Sequence, residues 1–347
     1  MWQTMANKFT HSYFLSFPSM YKHLLVAAVA ATFSISAFAD APIVIKFSHV
    51  VSMDTPKGQA AEMFKTNAER LTKGRVRVDV YPNSLLYKDK DEFEALQEGK
   101  VQMLAPSLGK FGPFGVPEFE LFELPYLFPN KDALYRVLDG PIGKSLLAKL
   151  EPKGITGLAF WDNGFKVMSA NKPLHTLADY KGLKMRVQSN SKVLDAEMRT
   201  LGAIPVVTNF ADVYPGLKSG ALDGAENPPS NMYSQNMHQV QKNVTLTNHS
   251  YLGYAVVVNK KFWDGLPPDI RAALTTALRD ATAYEKVMSQ MDGERSIDAM
   301  KKTGKTTIYT PTAAEDAAMR RALTPIQAQM QDHIGKDVIT SIHQATK

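Results

Sequence analysis

Apolar and polar residues alternate from position 42 to 50. Ile43, Ile45 and Phe47 fall on one side and Val44, Lys46 and Ser48 on the other, the period-two pattern of a strand. The period then lengthens. Ala60, Ala61, Phe64, Ala68 and Leu71 share one helical stripe that starts near Pro56 and stops at Lys73-Gly74. Residues 75–81 read as the next strand, 89–98 as a short helix ended by Gly99, and 101–105 as a third strand. This β-α-β-α-β alternation predicts a mostly parallel sheet covered by helices.

Residues 111–129 break the pattern with Gly112, Pro113, Gly115, Pro117, Pro125 and Pro129 among many aromatics. The stretch is too apolar to stay solvated, so it predicts an ordered, packed connection rather than a linker. Helical segments at 131–138 and 143–150 precede a strand at 155–161. Asp162-Asn163-Gly164 then gives a turn signal before residues 166–170, and marks the expected first crossing between lobes.

A second group repeats the logic, with strands at 183–187, 204–207 and 223–225 and helices at 191–201 and 211–218. The strongly apolar run 252–259 is expected to return to the first group. After Pro267-Pro268-Asp269 a helical pattern runs to about Met291 and extends toward Lys302. A helix of some 34 residues spans roughly 50 Å, more than one lobe, so it should brace both. The expected fold class is therefore α/β with two lobes and a long bracing helix. The first lobe is expected from residues 40–163 plus 253–292, the second from 164–252 plus 293–347.

Composition sharpens this in three places. The 347 residues exceed what one compact core usually holds, and 44% hydrophobic with 21% charged residues is ordinary globular composition. The formal net charge is +6, and the first 39 residues carry two lysines and no acid, leaving +4 for the rest. So small a surplus argues against a nucleic-acid partner and is compatible with an anionic ligand. With no cysteine, disulfides, thiol nucleophiles and Cys-ligated zinc are excluded together.

The start of the chain carries the clearest address. Met20-Tyr21-Lys22-His23 is a short basic segment, the apolar run from Leu24 to Ala31 follows, and Ala37-Phe38-Ala39 precedes Asp40 as an A-x-A cleavage signature. Residues 1–39 are expected to be a signal peptide cleaved near Ala39-Asp40. A complete signal begins at Met20, so residues 1–19 read as an upstream extension. The mature protein is expected outside the cytoplasmic membrane.

Catalytic constellations are missing from the sequence. It contains no G-x-G-x-x-G, Walker loop, G-x-S-x-G or H-E-x-x-H, and its eight histidines are scattered. Glu118, Glu120 and Glu123 cluster near prolines, where a solvated acidic face is the ordinary reading. No enzyme activity, cofactor or metal is expected. Three segments carry recognition chemistry instead.

In Gly182–Ser191 the strand alternation sends Leu183, Met185 and Val187 to one face and Lys184, Arg186 and Gln188 to the other. Arg186 then lies near a strand end just before a helix start, where open α/β sheets bind ligands and unpaired amides favour anions. A guanidinium can grip a carboxylate through two parallel hydrogen bonds. On spacing alone, an ordinary surface or lobe-internal salt bridge is at least as good a reading. Asp223-Gly224-Ala225-Glu226-Asn227-Pro228-Pro229 holds Asn227, donor and acceptor at once, on stiff backbone. The alternative there is a turn-capping Asn. In Trp161-Asp162-Asn163-Gly164-Phe165-Lys166, Lys166 is a second cation past the presumed hinge, with Asn163 beside it. Trp161 and Phe165 are either cleft walls or core residues.

Together with Tyr81-Pro82-Asn83-Ser84, these segments resemble the DctP family, the extracytoplasmic solute receptors of tripartite ATP-independent periplasmic (TRAP) transporters. The resemblance covers nearly all of residues 42–340 and is closest to the C4-dicarboxylate-binding branch. It implies a two-lobed periplasmic-binding-protein fold, a small organic anion as ligand, and a small and a large membrane subunit as partners. A monomer is expected. It further implies that Arg186 anchors a carboxylate and that Asn227, in the D-G-x-E-N-P motif, contacts the same ligand. Lys166 stands where sialic-acid-binding relatives have a second arginine, and Phe210 where they have an apolar wall. His49, Val50, Ser107 and Lys110 are implied at first-lobe strand ends facing the cleft. An aromatic 2-oxo acid or a sugar acid is the alternative ligand class.

Overall fold

Strand β1 (Ile43–Ser48) pairs in parallel with β2 (Val76–Tyr81) on one side and β3 (Met103–Leu104) on the other. This is seen in a computed structural model that describes residues 41–346; the expected signal peptide lies outside the described residues. Strands β4 (Ile155–Phe165) and β10 (Tyr251–Asn259) complete a first sheet of order β2-β1-β3-β10-β4. The second sheet runs β11-β9-β5-β8-β6-β7. Its strands are β5 (Val167–Ala170), β6 (Lys184–Val187), β7 (Ile204–Val207), β8 (Gly224–Asn227), β9 (Asn243–Thr245) and β11 (Thr307–Tyr309).

Both sheets are mixed rather than mostly parallel. The cause is the chain path: β10 enters the first sheet from the second and pairs antiparallel with β3 and β4, while β5 enters the second and pairs antiparallel with β8 and β9.

The expected turn at Asp162-Asn163-Gly164 is a β-bulge. Gly253 pairs with Asp162 and Leu252 with Gly164, which leaves Asn163 as the extra residue, and Gly164 has φ +137°. All nine residues of β10 are buried and offer β4 a continuous partner, so the chain bulges and continues instead of reversing. It changes sheet at Lys166, whose N–H donates to the Ser250 carbonyl at 2.8 Å.

The Pro56–Leu71 helix starts as its sequence dictates. Proline opens the first turn and the Thr55 side chain accepts a hydrogen bond from the Gly58 N–H at 3.2 Å. Ala60, Ala61, Phe64 and Ala68 pack on Ile45, Phe47 and Val78. Burying an aliphatic or Phe side chain of this kind contributes about 1.5–3 kcal/mol.

The long helix is Pro268–Thr303, 36 residues and therefore about 54 Å. Its Ile270, Leu274, Ala277, Leu278 and Ala281 join the core of the first sheet, whereas Met300 packs with Val167 and Val213 of the second. One rigid element thus touches both halves. No helix among the described residues is long and apolar enough to cross a membrane.

The aromatic connection is ordered, as its composition demands. Phe111, Phe119, Phe122 and Phe128 are buried, and Phe111 stacks on Phe119 at 4.7 Å. Its acids are not a solvated face: Glu120 and Glu123 are 2% and 1% exposed. Glu120 meets Ser191, Val193 and His333, and Glu123 meets Lys166 and Gln188, all more than 40 residues away, which a linear reading of an acidic run cannot reveal.

Candidate functional site

The facing strand ends line a narrow pocket. From the second sheet come Arg186 on β6, Gln188 just beyond it, Phe210 at the start of the Phe210–Ser219 helix, and Asn227 and Asn231 at and after the end of β8. The first contributes Val50, Val51, Asp89, Ser107, Lys110, Leu252 and Tyr254.

Strand alternation explains the aim of Arg186, since Met185 and Val187 occupy the core on the opposite face. The Arg186 Nε and one Nη each donate to the Thr208 carbonyl at 3.1 Å. The residue is 2% exposed, and among the described residues its guanidinium has no carboxylate within 4 Å. Burial pulls its pKa below the usual arginine range, with Asp89, Glu226 and Glu123 opposing that. The Phe210 ring lies 5.8 Å from the guanidinium carbon. A buried cation fixed by one carbonyl and lacking an acid is set to accept an anion.

The helix beginning after Ser191 is not that anion site. Ser191 caps it, and Glu120 accepts from the Val193 N–H at 3.3 Å, so its leading amides are already served.

Four cross-cleft bonds close the cavity. Lys88 pairs with Asp212 at 2.9 Å, and Asp89 accepts from the Phe210 N–H at 2.6 Å. Ser107 Oγ donates to Gln188 Oε1 at 2.5 Å, and Ser189 Oγ to the Gly109 carbonyl at 3.1 Å. The Asp89 carboxylate caps a helix of the opposite half, a bond that can form only when the cleft is shut.

The other expected contacts divide sharply. Phe210, Asn227, Ser107 and Lys110 line the cavity with Arg186. Lys110, however, is already paired with Asp89 and, at 2.8 Å, with Glu92. Burial works against its charge, but the two acids outweigh it and raise its pKa.

Lys166 does not line the cavity. It is fully buried between Glu123 at 2.6 Å and Glu226 at 2.8 Å, so its charge is spent on the protein itself. Trp161 is a core residue whose Nε1 donates to Thr282 Oγ1 at 2.9 Å. Asn163 stands one layer back, donating to Asn231 Oδ1 at 3.0 Å and to the Tyr254 hydroxyl at 2.5 Å. His49 is 1% exposed and also lies behind the wall, with neither ring nitrogen hydrogen-bonded among the described residues. Burial, then the nearby Lys57, depress it to about 3, so the imidazole is neutral.

Sequence reasoning missed Asp89, Gln188, Asn231 and Tyr254. Gln188 was within reach, because it shares a strand face with Arg186. Asn231 follows Asn227 by one helical turn and donates to its Oδ1 at 3.3 Å. Asp89 and Tyr254 carried no local signal.

Behind the cavity, Gln188 Nε2 donates to Glu123 at 2.5 Å, and Glu123 holds Lys166. Glu226 continues the chain to His249 Nε2 at 3.2 Å, with Glu197 3.1 Å away. Burial opposes charge on His249, yet Glu197 and Glu226 raise it to about 9. Glu197, Glu226 and His249 present donor atoms within 4.8 Å of one another. A metal would have to displace the Lys166 ammonium from Glu226, so the cluster is an internal ion network.

The model of the bacterial extracellular solute-binding protein family 7, DctP, matches residues 47–333. The chain belongs to the DctP family. It is 56% identical over 323 residues to the C4-dicarboxylate-binding periplasmic protein DctP of Rhodobacter capsulatus, covering 93% of this chain and 97% of that one. A TRAP periplasmic solute-binding protein of Sulfurospirillum deleyianum, solved with bound succinate, superposes with TM-score 0.85 at 41% identity, covering 89% and 100%. One from Shewanella oneidensis, also with succinate, gives 0.86 at 39%, covering 88% and 100%. This DctP-family chain is therefore a periplasmic TRAP solute receptor with the two-lobed α/β fold.

Proposed function

We propose that this receptor captures C4-dicarboxylates such as succinate, malate and fumarate for uptake by the membrane subunits of a TRAP transporter, and that it makes and breaks no bonds. The observation that carries the reading is the Arg186 guanidinium, buried at the cavity wall with only the Thr208 carbonyl as hydrogen-bond partner among the described residues. One ligand carboxylate would dock on its open edge beside Asn227. Val50, Val51, Leu252 and Phe210 supply apolar walls for the short carbon chain. Ser107 donates to an amide rather than to a base, and Lys110 is tied to two acids, so the cavity offers no activated nucleophile.

A thermal-shift panel tests the assignment. Ligand at about 100 times its Kd stabilises by about 2.7 kcal/mol, so succinate, malate and fumarate should raise Tm clearly, while mandelate and galacturonate should not. A larger shift with a uronate or an aromatic acid would reassign the ligand, and turnover of any C4 acid would overturn the receptor reading. Closure makes a separate prediction. Asp89→Ala removes a helix cap worth about 0.5–2 kcal/mol, so succinate should dissociate roughly 2- to 30-fold faster in stopped-flow fluorescence. Lys110 keeps Glu92 as partner in that variant. An unchanged off-rate would mean that the Asp89 cap does not hold the cleft shut.

A further inference from the structure

Arg186 accounts for one end of a dianion, and the two other cations expected at the site, Lys110 and Lys166, are already neutralised by acids. A third lysine is not. Lys57, in the first turn of the Pro56–Leu71 helix, is 2% exposed and has no carboxylate within 4 Å among the described residues. Its Nζ donates to the Ala105 carbonyl at 3.0 Å and sits 3.5 Å from the centroid of the Tyr254 ring. Tyr254 lines the cavity, and Ala105 is two residues from cavity-lining Ser107. Lys57 is thus an amine one side chain deep behind the wall of the first lobe.

We propose that Lys57 is a specificity residue for dianions: it gains its proton when the second carboxylate of the ligand arrives, so capture of a dicarboxylate takes up a proton from solution. The inference rests on the dicarboxylate reading above. An amine this buried, with a carbonyl and a ring face as its partners among the described residues, is poorly supported as an ammonium. A carboxylate across the Tyr254 wall would supply the missing counter-charge. The surrounding groups are consistent with this. Burial and then Lys110 depress Lys57 to about 7, and the Glu92, Asp89 and Glu285 carboxylates only partly restore it. His49 nearby is neutral. The sign follows. A dianion raises the Lys57 pKa, so its contribution to affinity is complete below about 7 and fades as pH rises through the pKa of the complex.

Calorimetry of succinate binding in buffers of different ionisation enthalpy counts the protons. With wild-type protein, uptake should approach one proton per ligand between about pH 8 and the pKa of the complex, and decline toward none as pH falls to about 6. Lys57→Met should abolish the uptake and weaken succinate roughly 10- to 100-fold at neutral pH, the range of about 1.4–2.8 kcal/mol, while leaving a monocarboxylate such as butyrate unchanged. Lys57→Arg, which cannot lose its proton, should bind without uptake. Wild-type binding with no proton uptake overturns the proposal, whether or not either variant folds. So does uptake that survives in Lys57→Met, which would assign the proton to the Glu92–Asp89–Lys110 cluster. Failure of wild type to bind any dicarboxylate would instead refute the ligand assignment itself.

Discussion

Arg186→Ala is expected to raise the Kd for succinate roughly 30- to several-thousand-fold, and titration calorimetry would read this directly. The estimate comes from the cost of truncating one member of a desolvated, hydrogen-bonded charge pair, about 2–5 kcal/mol. In the complex the guanidinium would be the direct partner of one ligand carboxylate inside a closed cavity, where water cannot substitute. Arg186→Lys should fall between the two. It keeps the charge but cannot hold the Thr208 carbonyl and a carboxylate with one planar fork.

Thermal stability separates this loss from general damage. The wild-type guanidinium is buried without an acid partner among the described residues, and Asp89, its strongest charged neighbour, remains bonded to Lys110 and to the Phe210 N–H. Removing Arg186 therefore relieves a desolvated charge, and the Tm of the free protein should stay level or rise. Near-wild-type affinity in Arg186→Ala would defeat the anchoring role.

How far the sequence discloses this site depends on the range of each interaction. Arg186 and Gln188 are legible because a strand has period two, and the apolar Met185 and Val187 fix which face is core. Lys166 reads as a free cation because its partners, Glu123 and Glu226, lie 43 and 60 residues away and meet it only where two sheets join. Lys110 is hidden at shorter range, its partner Glu92 lying 18 residues back in the chain and Asp89 arriving on a loop. Lys57 is more deceptive still. On the helical wheel it is an ordinary first-turn lysine, and its burial follows from Tyr254 closing over it from β10.

Fold-level errors have the same origin. Asp162-Asn163-Gly164 has turn composition, but the buried partner strand overrides it and converts the extra residue into a bulge. Strands of three residues, β9 and β11, are too short for periodicity to show. The long brace, by contrast, is visible because 36 residues give its pattern many repeats.

Lys166→Met distinguishes the two roles this lysine could have. As a ligand contact, its loss would lower affinity and leave stability nearly intact. As the centre of a buried ion network, its loss leaves Glu123 and Glu226 facing each other without their shared cation, at a cost of about 3–5 kcal/mol. The structure favours the second outcome, so differential scanning calorimetry should register a fall in Tm of several degrees or more. The pH response identifies the cause. Burial, with Lys166 insufficient to cancel it, already holds Glu123 above the usual carboxylate range. Without Lys166 both acids would resist ionisation more strongly, so the variant's deficit should shrink as pH falls and they take up protons. Wild type behaves differently at the alkaline end. His249, raised to about 9, contributes stability that is complete below its unfolded value of 6.5 and disappears as pH rises through 9. Adding Glu123→Gln and Glu226→Gln to Lys166→Met should recover much of the lost Tm, because the buried charges leave together. A single variant that keeps its Tm but loses succinate would return Lys166 to the ligand.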